Sequence, residues 1–176
     1  MSAGAMGEAL WRAAKAGNPA EARRLLDAGA PLDWQNPEDD GATALMAAAA
    51  YGHNSTVELL ADRGADLEAK DEFGTTALAR AAACGHKDIM ELLADRGADL
   101  EARGRFGITV LMAATLFSCK DAVELLVDRG ADPEAKNSGG NVALDLCTSG
   151  PCAEVLRNAE QRQRWHRRKV LTVWAH

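Results

Sequence analysis

The sequence predicts an all-α solenoid built from about five helix-turn-helix units, because three features recur at one spacing. A first glycine series has members 33 residues apart, at Gly41, Gly74, Gly107 and Gly140. A second series repeats at the same interval, at Gly64, Gly97 and Gly130. Between the two series lie a Thr-Ala-Leu or Thr-Val-Leu triplet and a run of small residues. Such units cannot bury their own apolar faces and must stack on one another.

Each recurring residue type has a structural reason. The hydroxyls of Thr43, Thr76 and Thr109 can cap the start of the first helix of a unit. The alanines that follow let two helices approach closely. The leucine pairs at 59–60, 92–93 and 125–126 provide the apolar face of the second helix. The glycines of the second series are expected to end that helix in a left-handed conformation.

This unit resembles the ankyrin repeat, and the resemblance covers roughly residues 7–161. We expect a repeat array over residues 1–161, with β-turn fingers between units. The predicted unit limits are 7–35, 36–70, 71–103, 104–136 and 137–161. The first and fifth units depart from the pattern and are expected to cap the array. A two-residue insertion makes the finger at residues 34–40 longer and acidic.

Charge is distributed unevenly along the 176 residues. The net charge is −6, with 14 basic and 25 acidic side chains up to residue 156 and six basic against one acidic side chain after it. Nucleic-acid binding is therefore not expected for the acidic body, whereas the tail allows it. No apolar stretch approaches the roughly 20 residues of a membrane span, and the N-terminus lacks a secretory signal pattern. We expect an intracellular, reducing and by preference cytoplasmic location, with nucleus or organelle left open.

Motifs for chemistry are scarce. The sequence has no phosphate-binding glycine loop with a lysine and no His-Glu-x-x-His string. The acidic pairs at 39–40 and 71–72 fall on predicted turns, where general acid–base work is not expected. We therefore expect neither enzymatic activity nor a cofactor.

A column of zinc-type residues also recurs with the repeat, at His53, His86, Cys119 and Cys152. Equivalent positions of stacked helices are about 8–10 Å apart, whereas zinc needs donor atoms at about 2.0–2.3 Å. We therefore expect a structural role for this column and no metal. Whether Cys147 and Cys152 pair under oxidation is left open.

The ankyrin resemblance implies that partners dock on the concave side, made of the finger tips and the exposed face of each first helix. Aromatic side chains with flanking charge are typical of a protein-binding hot spot. The predicted partner-binding residues are Asp39, Asp40, Tyr51, Glu72, Phe73, Arg105, Phe106, Ile108, Leu116 and Phe117. In the alternative interpretation, Phe73 and Phe106 stack on each other along the array.

We interpret the chain as a non-catalytic protein–protein interaction module, monomeric alone, that acts as an adaptor or subunit of a larger assembly. The alternatives are an inhibitor that masks the surface of an enzyme, and association with RNA or an anionic membrane through the tail.

Residues 162–176 are predicted to form a basic amphipathic helical extension. It either caps the last repeat, docks a partner, or contacts RNA or lipid. Its predicted contact residues are Arg164, Trp165, Arg167, Arg168, Lys169 and Trp174.

Overall fold

A computed structural model describes residues 2–148, 150–159 and 161 of the chain. The predicted tail contacts at residues 164–174 lie outside these residues. The described residues form nine α-helices and no strand, which confirms the all-α prediction. The α-helices are α1 (Ala3–Lys15), α2 (Pro19–Asp27), α3 (Ala44–Ala50), α4 (Asn54–Asp62), α5 (Ala77–Cys84), α6 (Lys87–Asp95), α7 (Val110–Leu116), α8 (Lys120–Asp128) and α9 (150–159). Three short 3-10 helices cover Pro37–Asp39, Arg105–Gly107 and Ala143–Leu146.

The helices stack in two rows. An inner row contains α1, α3, α5 and α7 in order, and an outer row contains α2, α4, α6 and α8. Each inner helix also packs against the outer helix that follows it in the chain. Fingers at residues 35–42, 70–75, 103–108 and 136–141 connect one helix pair to the next, and each is numbered by the repeat unit that it begins, as the second, third, fourth and fifth finger.

The predicted helix starts and stops are confirmed. The hydroxyls of Thr43, Thr76 and Thr109 accept hydrogen bonds from the backbone N–H groups three residues later. The glycines that follow the outer helices have φ angles of 86°, 91° and 93°, in the left-handed region. Local sequence therefore sets where α3, α5 and α7 begin and where α4, α6 and α8 end.

The segment after the fourth pair begins with a 3-10 helix where the repeat pattern predicts an α-helix. Val142 stands in the place of the capping threonine and has no hydroxyl to accept the backbone N–H of Asp145, which donates to the Val142 carbonyl oxygen at 3.1 Å. The backbone N–H of Val142 itself donates to the Asp145 carboxylate at 2.9 Å. Cys147 then adopts an extended conformation. Pro151 follows four residues later in the first turn of α9, where its missing N–H costs nothing.

The core runs along the array between the two rows. Small side chains fill the inner helices, so that Ala48, Ala49, Ala81 and Ala82 are fully buried. Larger side chains seal the outer helices, and the second leucine of each pair (60, 93 and 126) is at most 1% exposed. Because each interface repeats this arrangement, stability depends on stacking rather than on any one pair.

The His and Cys column ties one helix pair to the next. The Nε2 atoms of His53 and His86 lie 2.9 Å from the carbonyl oxygens of Lys15 and Ala50, at the end of the preceding inner helix. Cys119 takes the same place in the fourth pair, where its thiol lies 3.4 Å from the carbonyl oxygen of Ala83. These side chains satisfy backbone carbonyls between stacked repeats, as a structural role requires.

Polar side chains along the fingers add two further ties at every step. Carboxylates of Asp33, Glu68 and Glu101 accept hydrogen bonds from backbone N–H groups of the next repeat. In the same register, Gln35, Lys70 and Arg103 donate to backbone carbonyl oxygens of the next finger. The fingers are therefore held at a fixed spacing, which is the spacing of any surface they present.

Candidate functional site

A groove of about 480 Å³ opens on the side of the array formed by the fingers and the inner helices α5 and α7. Its floor is made of small side chains that are only partly buried: Ala50, Ala79, Ala83 and Ala113. Its walls come from three successive fingers and from the ends of the inner helices α5 and α7. The inner helices are rich in alanine on this face as well as in the core, so the groove floor is low.

The structure brings together seven of the ten predicted partner-binding residues around this groove. They are Asp39, Asp40, Phe73, Arg105, Ile108, Leu116 and Phe117. Tyr51, Glu72 and Phe106 do not line it. The ring of Tyr51 instead stacks on His53 and contacts the ammonium of Lys15, which lies 5.2 Å from the ring centre.

Exposure of the aromatic residues agrees with the sequence prediction. In the described part of the chain, five large apolar side chains are exposed, and all five belong to the predicted set: Tyr51, Phe73, Phe106, Leu116 and Phe117. Their role in binding stays a prediction.

The suggested stack of Phe73 on Phe106 is absent among the described residues. The guanidinium of Arg105 covers the Phe106 ring instead, at 5.3 Å from its centre.

The backbone of Phe106 is in an unfavourable conformation. Its φ angle is 58°, in the left-handed region that residues other than Gly, Asn and Asp rarely adopt. Its ring is nevertheless 68% exposed, so burial of the ring does not offset this cost. The Phe106 carbonyl oxygen accepts a hydrogen bond of 2.8 Å from the backbone N–H of Ser138, so the finger itself holds this conformation, and the feature that folding does not explain is the exposed ring.

Arg80 is a groove residue that the sequence reading missed. It is the only charged residue in the inner helices α3, α5 and α7, and its counterparts one repeat away are Ala47 and Ala113. Its guanidinium donates to Asp71 at 2.9 and 3.2 Å and to Asp39 at 3.5 Å. The sequence could have indicated Arg80, because it is a charged residue at a position that holds alanine in the neighbouring repeats.

Asp71 holds the third finger in shape. Its side chain is 2% exposed, and its Oδ1 accepts hydrogen bonds from the backbone N–H groups of Phe73 and Thr75. Arg80 pairs with its other oxygen, so the buried carboxylate is fully satisfied. This arrangement fixes the finger that carries Phe73.

The two ends of the groove carry opposite charge. Asp39 and Asp40 lie at one end, where Arg80 is shared between Asp39 and Asp71. Across the part of the chain that the structure describes, Asp40 has no cationic nitrogen within 4.0 Å. Arg105 lies in the wall on the fourth finger, two fingers away, and within the same residues has no carboxylate within that distance. Both charges are therefore available to a bound molecule.

Two cysteines near the groove differ in environment. Cys84 ends α5, is exposed and lines the groove. Cys119 lies below it and is half-buried, and burial raises the pKa of its thiol above the ordinary value. The thiolate is the reactive form, so Cys119 is the less reactive of the two by this effect.

Neither a metal site nor a membrane-spanning helix is found within the described ranges. No three His, Cys, Asp or Glu side chains in these ranges are grouped to hold a metal ion. None of the helices described combines the length and apolar composition that a bilayer crossing needs.

The groove offers apolar contacts, two opposite charges and backbone groups, which suit a polypeptide ligand.

A family model described as ankyrin repeats (3 copies) matches the chain over residues 10–104 and 68–137. Together these matches span most of the described array. No curated protein matches the sequence. Ankyrin repeats are general protein–protein interaction modules, typically without catalytic activity. By its sequence and its fold, the chain belongs to the ankyrin repeat family.

Proposed function

We propose that this protein binds a partner protein through the groove and the exposed aromatic side chains around it, as a non-catalytic adaptor or assembly subunit. The observation that carries this proposal is the concentration of exposed apolar side chains on one side of the array. All five in the described residues lie on the fingers or at the ends of inner helices.

The cost of this arrangement supports a binding role. An exposed aromatic ring contributes little to the stability of its own chain, because it stays in contact with water. A hot-spot residue buried at the centre of an interface contributes about 2 kcal/mol or more to binding. The left-handed backbone of Phe106 adds a conformational cost at a residue whose ring stays in water.

The test is affinity capture from the native source with three chains of equal fold. The first is the wild type, and the second is Phe73→Ala/Phe106→Ala/Phe117→Ala. The third, a matched control, is Glu58→Ala/Glu91→Ala/Glu124→Ala, whose positions repeat at the same spacing on the outer helices α4, α6 and α8. Circular dichroism verifies that all three are folded.

We expect a stoichiometric partner that the wild type and the control retain and the aromatic variant loses. Loss from the control alone would move the interface to the outer helices. A fourth chain ending at Gln161 tests the tail. A partner lost only from that chain would assign recognition to residues 162–176, and binding that fails at high salt would then favour RNA or an anionic membrane.

A further inference from the structure

We propose that the groove recognises a basic-apolar segment of its partner: a peptide with Lys or Arg side chains at the Asp39–Asp40 end and an apolar side chain seated among Phe73, Leu116 and Phe117. This inference rests on the proposed function and specifies the chemistry of the partner. It follows from how charge and apolar surface are placed along one groove.

The apolar seat lies at the α7 end of the groove. Leu116 and Phe117 end or follow α7 and are 44% and 66% exposed, and Phe73 reaches in from the third finger at 45%. The floor between them consists of Ala79, Ala83 and Ala113, which leave room for a large side chain. An aliphatic or aromatic residue of the partner fits this place by volume and polarity.

The cation preference comes from the acidic end. Asp39, Asp40 and the buried Asp71 contribute three carboxylates, against which the structure sets one guanidinium, that of Arg80. Glu38 and Glu72 flank this end, and a backbone hydrogen bond of 2.8 Å from Glu72 to Asp40 holds the two fingers together. The uncompensated negative charge attracts cations and disfavours acidic segments.

Arg105 makes the groove directional. Its guanidinium lies on the fourth finger, away from Asp39 and Asp40 on the second, and covers Phe106 rather than a carboxylate. A basic segment laid in the reverse direction would place its cations beside this guanidinium. Opposite charges at the two ends therefore select one orientation of the peptide, with the cations toward the second finger.

The experiment begins with a displayed library of random peptides, about 14 residues long, selected on the full chain. A helix of that length covers about 21 Å, roughly two repeat steps of 8–10 Å. We expect the enriched sequences to combine Lys or Arg with an apolar residue at a constant offset. The best peptide is then synthesised together with a copy in which Gln replaces its basic residues.

Isosteric variants then test the contact. Asp39→Asn/Asp40→Asn keeps shape, and Asn tolerates the left-handed φ of 50° at position 40. Glu58→Gln/Asp88→Asn, two exposed positions on the outer helices, makes the same change in net charge as a control. By calorimetry we expect the groove variant to bind the synthetic peptide with a Kd about tenfold higher than that of the wild type, which is about 1.4 kcal/mol. The control should bind it with a Kd within about twofold of the wild type.

The Gln-substituted peptide completes a double-mutant cycle. It should bind the groove variant and the wild type about equally, because the coupled charges are then absent from both sides. Enrichment of acidic peptides, additive losses in the cycle, or the absence of any enriched peptide would each overturn the inference. Enriched apolar peptides that lack basic residues but are lost with Phe73→Ala/Phe117→Ala would overturn it while leaving the proposed function standing.

Discussion

Phe106 shows at the residue scale how binding and stability compete. Its left-handed backbone is unfavourable, and its ring remains in water with Arg105 as neighbour. Asp40 occupies the same place in the second finger with a φ of 50°, at less cost because a short polar side chain tolerates this region. In the fourth finger, an aromatic ring is therefore present at the expense of folding free energy.

Replacing Phe106 with Asn should stabilise the chain relative to replacing it with Ala. Both substitutions remove the ring, but Asn adopts the left-handed conformation more readily. We expect Phe106→Asn to exceed Phe106→Ala in the free energy of unfolding by about 0.5–1 kcal/mol, measured by urea denaturation. Both should bind the partner more weakly than the wild type. Equal stability of the two variants would show that the backbone at this position is not strained.

Cys84 provides a chemical test of the groove. It is exposed and lines the groove, whereas Cys119 is half-buried and burial raises the pKa of its thiol. A bulky maleimide should therefore modify Cys84 before Cys119, as read by peptide mass mapping, and should abolish partner binding. The Cys84→Ala variant should bind normally and resist the inhibition. Binding that survives full modification of Cys84 would place the interface elsewhere.

At the scale of elements, the column His53, His86 and Cys119 controls how one helix pair meets the next. A β-carbon at Gly52 would lie 2.8 Å from Cε1 of His86, so the glycine gives room for the ring as well as the positive φ. Ser118 takes the equivalent place after α7, and the column residue of the following repeat is Cys152 rather than a histidine. Both histidines of the column therefore lie over a glycine, whereas Cys119 lies over Gly85 and is smaller than the space allows.

Replacing Cys119 with histidine should strengthen the interface between the repeats of α5 and α7. Gly85 already lies under Cys119, so Cys119→His has the room that Gly52 gives to His86. Its ring should donate to the carbonyl of Ala83 in place of the long thiol contact of 3.4 Å. We expect the free energy of unfolding to rise by about 0.5–1.5 kcal/mol, and the matched His86→Cys to lower it by a similar amount. A destabilised Cys119→His would show that this interface is too tight for an imidazole.

The whole molecule is a one-dimensional stack whose steps use the same ties. Hydrogen bonds between fingers, finger carboxylates and ion pairs between the outer helices recur from one repeat to the next. The ion pairs join Arg63, Arg96 and Arg129 to an aspartate one repeat earlier. Repeats that bury their apolar faces only against one another favour unfolding as one unit over fraying repeat by repeat.

A cavity in the fourth pair should therefore lower the stability of the first. Leu111→Ala removes a side chain that is 1% exposed and should cost about 2–5 kcal/mol. In a Trp165→Phe/Trp174→Phe background, fluorescence reports Trp11 and Trp34 in the first unit, while circular dichroism reports all helices. The two urea transitions should shift together. Separate midpoints would show that the repeats near the cavity unfold independently.

The local chemistry of the repeat residues and their period are sufficient to predict the all-α repeat fold. Threonine hydroxyls, positive-φ glycines and leucine pairs act within a few residues of their own helix. A repeat of 33 residues therefore predicted where α3, α5 and α7 begin and where α4, α6 and α8 end, whereas the 3-10 helix at Ala143–Leu146 departs from it. The same register placed Phe73, Phe106 and Phe117 on the exposed side. The predicted unit limits, and the tail after residue 161, stay predictions.

Only the tertiary structure decided which exposed residues share one groove. Stacking brings Asp39 beside Arg80, 41 residues later, and turns Tyr51 toward Lys15 and His53 instead. Such contacts depend on side-chain rotamers and on the finger backbone, including the left-handed Phe106, which repeat spacing does not encode. Periodicity fixes where a residue stands along the array, whereas packing between repeats determines which neighbour its side chain meets.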